Sequence, residues 1–107
     1  MMKNMSEQNT GIKNALEIIE RYDLRRKYSV KRIGLFGSFI RGEQKETSDI
    51  DVLVEFEKGA KTFDNYMNLK FFLEEVFGKK VDLVIIDAIK PDIKDQILKE
   101  VKYAEIL

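Results

Sequence analysis

The chain contains no cysteine and no histidine among its 107 residues. Without cysteine it has no disulfide and no thiolate metal site. Without histidine it lacks the commonest general base and the commonest zinc ligand. Any metal site must therefore be built from oxygen ligands, which suit Mg²⁺ or Mn²⁺.

Long apolar runs and an excess of one charge sign are also missing. No apolar run reaches the ~20 residues that span a bilayer, and residues 1–10 lack the apolar centre of a signal peptide. The formal net charge is zero, so no general attraction to nucleic acid or to a membrane is implied. We therefore expect a cytoplasmic protein with no membrane contact and no direct nucleic-acid binding.

The patterning predicts a flexible N-terminal segment, residues 1–10, followed by one small domain, residues 11–107. Apolar residues at helical spacing predict a helix from Gly11, another between Thr62 and Gly78, and a last one from Pro91. Alternating or continuous apolar runs predict strands over residues 30–36, 49–56 and 81–86. A single helical turn is expected over residues 39–42.

The spacing of these elements predicts their arrangement. The second and third strands flank a helix, so they should be parallel, whereas the short link between the first two favours antiparallel neighbours. This gives an α/β fold with a small mixed three-stranded sheet, helices packed on one face and the other face open. It also brings the end of the first strand and the starts of the other two to one edge of the sheet.

Three carboxylates fall at that edge. Asp49 and Asp51 are separated by one residue, so they point to the same face of their strand, and Asp82 stands near the head of the third strand. Each alone could be an ordinary turn or capping residue. Together they favour a shared divalent cation, which relieves the repulsion between clustered carboxylates. Asp82 could also accept a proton from an attacking hydroxyl.

A Gly-Ser turn precedes the carboxylates. Gly37 and Ser38 end an apolar strand, and a helical turn after them would offer free N–H groups and the Ser38 hydroxyl to the outer phosphates of a nucleotide. The same residues could instead form an ordinary turn. Arg41 either adds a positive charge to this anion site or is an ordinary surface residue.

These motifs together resemble one family. The segments Gly37-Ser38-Phe39-Ile40-Arg41-Gly42, Ser48-Asp49-Ile50-Asp51 and Val81-Asp82-Leu83-Val84 look like those of the minimal nucleotidyltransferase family in the DNA polymerase β-like superfamily. The resemblance covers nearly the whole chain after the first ten residues. It implies that Asp49, Asp51 and Asp82 are the catalytic residues and bind two Mg²⁺ ions, with Mn²⁺ as an alternative. The implied nucleotide-binding residues are Gly37, Ser38, Arg41 and Ser48.

The resemblance also implies a biological role. Proteins of this family typically act as antitoxins beside a helical ribonuclease toxin of the HEPN type, and catalytic members transfer AMP from ATP to a tyrosine of that toxin. We therefore expect an Mg²⁺-dependent protein adenylyltransferase with ATP as substrate and a HEPN toxin as partner. Two alternatives remain: a non-catalytic antitoxin that blocks its toxin by binding, and an adenylyltransferase acting on a small molecule.

Overall fold

The computed structural model of the protein describes residues 4–43, 45 and 49–106. Over these residues the chain forms five α-helices, one 3₁₀ turn and four strands. In chain order they are α1 (Asn4–Arg21), α2 (Leu24–Tyr28), β1 (Val30–Phe36), α3 (Ser38–Arg41), β2 (Ile50–Phe56), α4 (Phe63–Phe77), β3 (Val81–Ile85), the 3₁₀ turn (Ile86–Ala88), α5 (Pro91–Glu100) and β4 (Lys102–Tyr103).

The strands form one mixed sheet in the order β3-β2-β1-β4. As predicted, β1 and β2 are antiparallel, and β2 and β3 are parallel. In this register Asp51 lies opposite Phe36, the last residue of β1, on one side and opposite Asp82 on the other. The predicted edge of the sheet is therefore present, with the end of β1 beside the starts of β2 and β3.

The main core covers one face of the sheet. Side chains that alternate along β1 and β2 are fully buried against α1, α2 and α4, as the pattern of β2 predicted. The fully buried side chains of this core are Ile19, Leu24, Val30, Ile33, Leu35, Val52, Val54, Leu69 and Leu73.

The opposite face is not left open, which corrects the prediction that helices pack on one face only. Phe36, Leu53 and Ile86 form a second buried cluster there, and Ile97 of α5 and Val101 pack against it. The sequence of β2 explains why this face is covered. Leu53 lies among the acidic residues of that face, and its apolar side chain is stabilised by an apolar partner. Helix α5 supplies that partner and covers part of the face.

The sheet has four strands over the described residues, one more than predicted. The additional strand, β4, spans only Lys102–Tyr103 and pairs with Gly34 and Leu35 of β1. Two residues are too few for any alternation to appear in the sequence. Gly34 permits the pairing, since a Cβ there would lie 2.7 Å from the Lys102 carbonyl oxygen.

Several helix boundaries follow from local chemistry. The Thr62 hydroxyl accepts a hydrogen bond from the Asn65 N–H at 3.2 Å, and Gly78 ends α4 with φ +66°, both as predicted. Helix α1, however, begins at Asn4 rather than near Gly11, and α2 was not predicted. The polar run before Gly11 carries little apolar periodicity, and α2 is a single turn. The division into a flexible segment 1–10 and a domain 11–107 stays a prediction.

No helix in the described part of the chain is long and apolar enough to cross a membrane. The cytoplasmic location stays a prediction.

Candidate active site

The turn after β1 is built around Gly37, which has φ +77° and ψ −151°. This conformation is open to glycine and strained for other residues. A Cβ at Gly37 would also clash with the carboxylate of Asp51. Glycine therefore lets the backbone of the turn lie directly against the carboxylate, and the chain then enters the single turn of α3 at Ser38.

The structure brings two of the predicted carboxylates into register. Asp51 is half-buried and lies opposite exposed Asp82 on the neighbouring parallel strand, so the two side chains leave the same face of the sheet about 5 Å apart at the backbone. Asp49, also exposed, precedes β2 and interacts electrostatically with Asp51. The backbone N–H of Ser38 donates a hydrogen bond to Asp51.

The environment of Asp51 raises its pKa above the ordinary value of 3.8. Burial is the main cause, and the negative charges of Asp82 and Asp49 add to it. The hydrogen bond from Ser38 and the positive charge of Arg41 act in the opposite direction. The balance means that charge at Asp51 is disfavoured in the folded protein, as expected where a cation would be needed to offset it.

This shift predicts that Asp51→Asn stabilises the metal-free protein. Because the folded pKa lies above the unfolded one, ionised Asp51 destabilises the fold at every pH above the folded pKa. The penalty is lost as the pH falls through that value toward 3.8. Thermal melting with a chelator present should therefore show a Tm higher by a few degrees at pH 7, and the gain should shrink with acidification.

The exposed substitution Asp95→Asn on α5 is the matched control and should leave the Tm nearly unchanged. We call the edge of the sheet that carries Asp49, Asp51 and Asp82 beside the Gly37 turn the carboxylate corner. A fall of several degrees in Asp51→Asn would mean that its carboxylate supports the fold, and would contradict this interpretation of the corner.

Arg41 lies at the end of α3 and is engaged with two acids. Its guanidinium contacts Glu43 at 3.0 Å and both carboxylate oxygens of Glu100 at 3.1 Å. These hydrogen bonds raise the pKa of Arg41. Glu100 also accepts the backbone N–H of Gly37 at 2.7 Å. The turn, Arg41 and the end of α5 are therefore joined.

Sequence reasoning did not identify Glu100. A signal was present, since an acidic residue in the last turn of a helix faces the negative end of the helix dipole. That unfavourable placement indicates a compensating partner, although it does not say which one. The predicted nucleotide-binding residue Ser48 lies outside the described residues.

The donor chemistry at this corner fits a hard divalent cation, because carboxylate oxygens are its preferred ligands. The raised pKa of Asp51 beside Asp82 is the observation that supports the fit. As the side chains stand, no three potential ligands within residues 4–43, 45 and 49–106 are grouped closely enough to enclose an ion. Metal binding by Asp49, Asp51 and Asp82 thus stays a prediction.

The carboxylates lie on an open part of the surface, since Asp49 and Asp82 are both exposed. Two surface clefts of about 330 and 500 Å³ lie elsewhere, beside α1 and the C-terminal segment. Each cleft is lined by three acidic residues, but neither lining includes a glycine turn that could approach a phosphate, so the carboxylates beside Gly37 are the better candidate. The position of the corner on an open surface suits a large acceptor better than a small enclosed one.

A mixed sheet with paired carboxylates at one edge, beside a glycine turn that leads into a helix, defines an α/β domain of the nucleotidyl-transfer type. The model of the nucleotidyltransferase domain family matches residues 16–104. The chain therefore belongs to the nucleotidyltransferase family, and the resemblance found in the sequence is confirmed.

Individual relatives agree with this assignment. A candidate protein adenylyltransferase of Methanocaldococcus jannaschii is 54% identical over 69% of this chain and 78% of its own length. Protein adenylyltransferase MntA of Thermococcus cleftensis is 42% identical over 76% of this chain and 81% of its own.

Solved structures share the fold. That of a candidate minimal nucleotidyltransferase has a TM-score of 0.72 and 33% identity, covering 89% of this chain and 93% of the other. A toxin–antitoxin complex with AMP-PNP also contains this fold, with a TM-score of 0.69 and 24% identity over 86% of this chain and 73% of the other.

Proposed function

We propose that this nucleotidyltransferase is an Mg²⁺-dependent antitoxin that transfers AMP from ATP to a tyrosine of a HEPN-type partner toxin. The observation that carries the proposal is the half-buried carboxylate of Asp51, set opposite Asp82 and against the Gly37 turn. The names of the relatives support the reaction class, since one of them is protein adenylyltransferase MntA.

The proposed reaction is a displacement at the α-phosphorus of ATP. The tyrosine oxygen forms a bond to that phosphorus, the bond to the bridging oxygen of the β-phosphate breaks, and pyrophosphate leaves. Asp82 is exposed and accepts the proton of the tyrosine hydroxyl. Asp49, Asp51 and Asp82 would hold the magnesium, which when bound offsets the negative charge of the transferring phosphate.

The β- and γ-phosphates of ATP require hydrogen-bond donors, which the Gly37 turn and α3 could supply. The Ser38 hydroxyl, the N–H groups at the start of α3 and the guanidinium of Arg41 have the required chemistry. In the structure the Gly37 and Ser38 N–H groups donate to Glu100 and Asp51, respectively. Triphosphate binding by this turn therefore implies a local rearrangement of hydrogen bonds.

The open position of the corner favours a protein acceptor. Asp49 and Asp82 are both exposed, so a large acceptor can reach them, and a partner protein could cover them and exclude water. We expect the purified protein to hydrolyse or transfer ATP poorly by itself and to consume ATP much faster when the partner toxin is added. Pyrophosphate release, measured with and without the toxin, tests this.

The control replaces the toxin with free hydroxyl acceptors, namely a sugar and an aminoglycoside. Transfer to either of these at a rate equal to that of the toxin would contradict a protein acceptor and support the small-molecule alternative. Inhibition of the toxin without any ATP consumption would instead support blocking by binding alone.

A further inference from the structure

Glu100 accepts hydrogen bonds from two donors that a bound triphosphate would also use, the Gly37 N–H and the Arg41 guanidinium. Its carboxylate is the acceptor of the Gly37 backbone N–H at 2.7 Å and of the Arg41 guanidinium at 3.1 Å through both oxygens. An amide N–H and an arginine fork are the donors that recognise a phosphate oxygen. A carboxylate shares the negative charge and the acceptor oxygens of a phosphate, so Glu100 engages donors that a phosphate would use.

We propose that Glu100 is an internal competitor of the nucleotide's outer phosphates, and that its displacement sets the affinity for triphosphate. This inference depends on the proposed function only in its assumption that phosphates bind at the Gly37 turn. It assigns a role in phosphate affinity to Glu100, a residue 63 positions from Gly37 in the sequence.

The position of Glu100 in the fold supports a role beyond helix formation. It is the last residue of α5, where a negative charge meets the negative end of the helix dipole and is unfavourable. Its side chain is only 20% exposed. The contacts with Gly37 and Arg41 are the observed compensation for this placement.

Both residues that follow Glu100 are packed or paired, so its displacement requires a change of the side chain alone. Val101 packs against the second core cluster, and Lys102 begins β4, which pairs with β1. Rotation of the Glu100 side chain would free both donors without moving either element. Arg41, which also lowers the pKa of Asp51, would then be available to the phosphates.

The change of triphosphate affinity in Glu100→Gln shows whether Glu100 competes with the phosphates or instead holds the Gly37 turn in the conformation that binds them. If Glu100 competes, Glu100→Gln removes the negative charge and weakens the hold on Arg41, so triphosphate binds about 3- to 10-fold tighter. If Glu100 instead stabilises the Gly37 turn in its nucleotide-binding conformation, the same variant binds triphosphate more weakly.

The test is calorimetric titration of the full chain with Mg²⁺-ATP, Mg²⁺-tripolyphosphate and AMP. We expect Glu100→Gln to bind the first two probes more tightly and AMP with unchanged affinity, since AMP lacks the outer phosphates. Asp95→Asn is the matched control, because it removes one negative charge from the same helix away from the turn. It should leave all three affinities unchanged.

A double-mutant cycle with Arg41→Gln adds a second readout. Arg41→Gln should weaken tripolyphosphate binding more in the Glu100→Gln background than in the wild type, because only there is Arg41 released from Glu100, while its contact with Glu43 is present in both backgrounds. Equal losses in the two backgrounds would contradict the competition.

Two further outcomes are distinguishable. Weaker or unchanged ATP binding in Glu100→Gln, with AMP transfer by the wild type intact, would overturn the role of Glu100 and leave the proposed function standing. Failure of the wild type to bind ATP or tripolyphosphate would overturn both.

Discussion

The Asp51→Asn variant is expected to transfer AMP about 10³-fold more slowly than the wild-type protein, or slower still. Asn keeps the size of Asp and can still accept the hydrogen bond from the Ser38 N–H. It loses the charge that would hold a cation between Asp51 and its register partner Asp82. The charge of the transferring phosphate is then no longer offset.

The measurement is the rate of AMP incorporation into the partner toxin at saturating Mg²⁺-ATP. Asp95→Asn, an equal change of charge at an exposed position of α5, is the control and should retain the wild-type rate. Because Asp51→Asn is expected to melt no lower than the wild type, a loss of activity could not be assigned to unfolding. A rate within threefold of the wild type would remove Asp51 from the catalytic machinery.

Gly37→Ala is expected to lower both stability and activity. The alanine would adopt φ +77° and place its Cβ against the carboxylate of Asp51. A strained backbone of this kind costs about 1–3 kcal/mol, and the clash adds to it. For a domain of this size a total of about 3 kcal/mol lowers the Tm by 10 °C or more. Melting by circular dichroism measures it.

Gly78→Ala is the control for a positive-φ glycine that has free space around it. Gly78 also has a positive φ, +66°, but an added Cβ there meets nothing within 4 Å. It should therefore show only the backbone cost of about 1 kcal/mol. Combining Gly37→Ala with Asp51→Ala should recover part of the lost stability, because the carboxylate that clashes is gone. No recovery of stability in this double variant would show that the close approach to Asp51 has no energetic weight.

Much of this fold follows from patterns that are local in sequence. The alternation along β2 predicted its buried face through Val52 and Val54, and the order of strand, helix and strand predicted the parallel pairing of β2 with β3. That pairing in turn put Asp51 and Asp82 at one edge. Short-range periodicity carries this information, because neighbouring residues of one element share a face.

The missed features depend on contacts between distant segments. Strand β4 is defined by its pairing with Gly34 rather than by its own two residues. The coverage of Leu53 by α5 depends on where that helix packs. The hydrogen bond from the Gly37 N–H to Glu100 joins residues 63 positions apart. A single sequence contains both residues of such a contact, but it does not show that they lie close together in the fold.

The most direct measurement of the central claim is the mass of the partner toxin after incubation with Mg²⁺-ATP and this protein, combined with the toxin's remaining ribonuclease activity. Catalytic neutralisation predicts added AMP on a toxin tyrosine and loss of ribonuclease activity with the wild-type protein, and an unmodified, active toxin with Asp51→Asn. A toxin that is inhibited equally by both proteins while its mass stays unchanged would contradict AMP transfer and leave blocking by binding as the explanation.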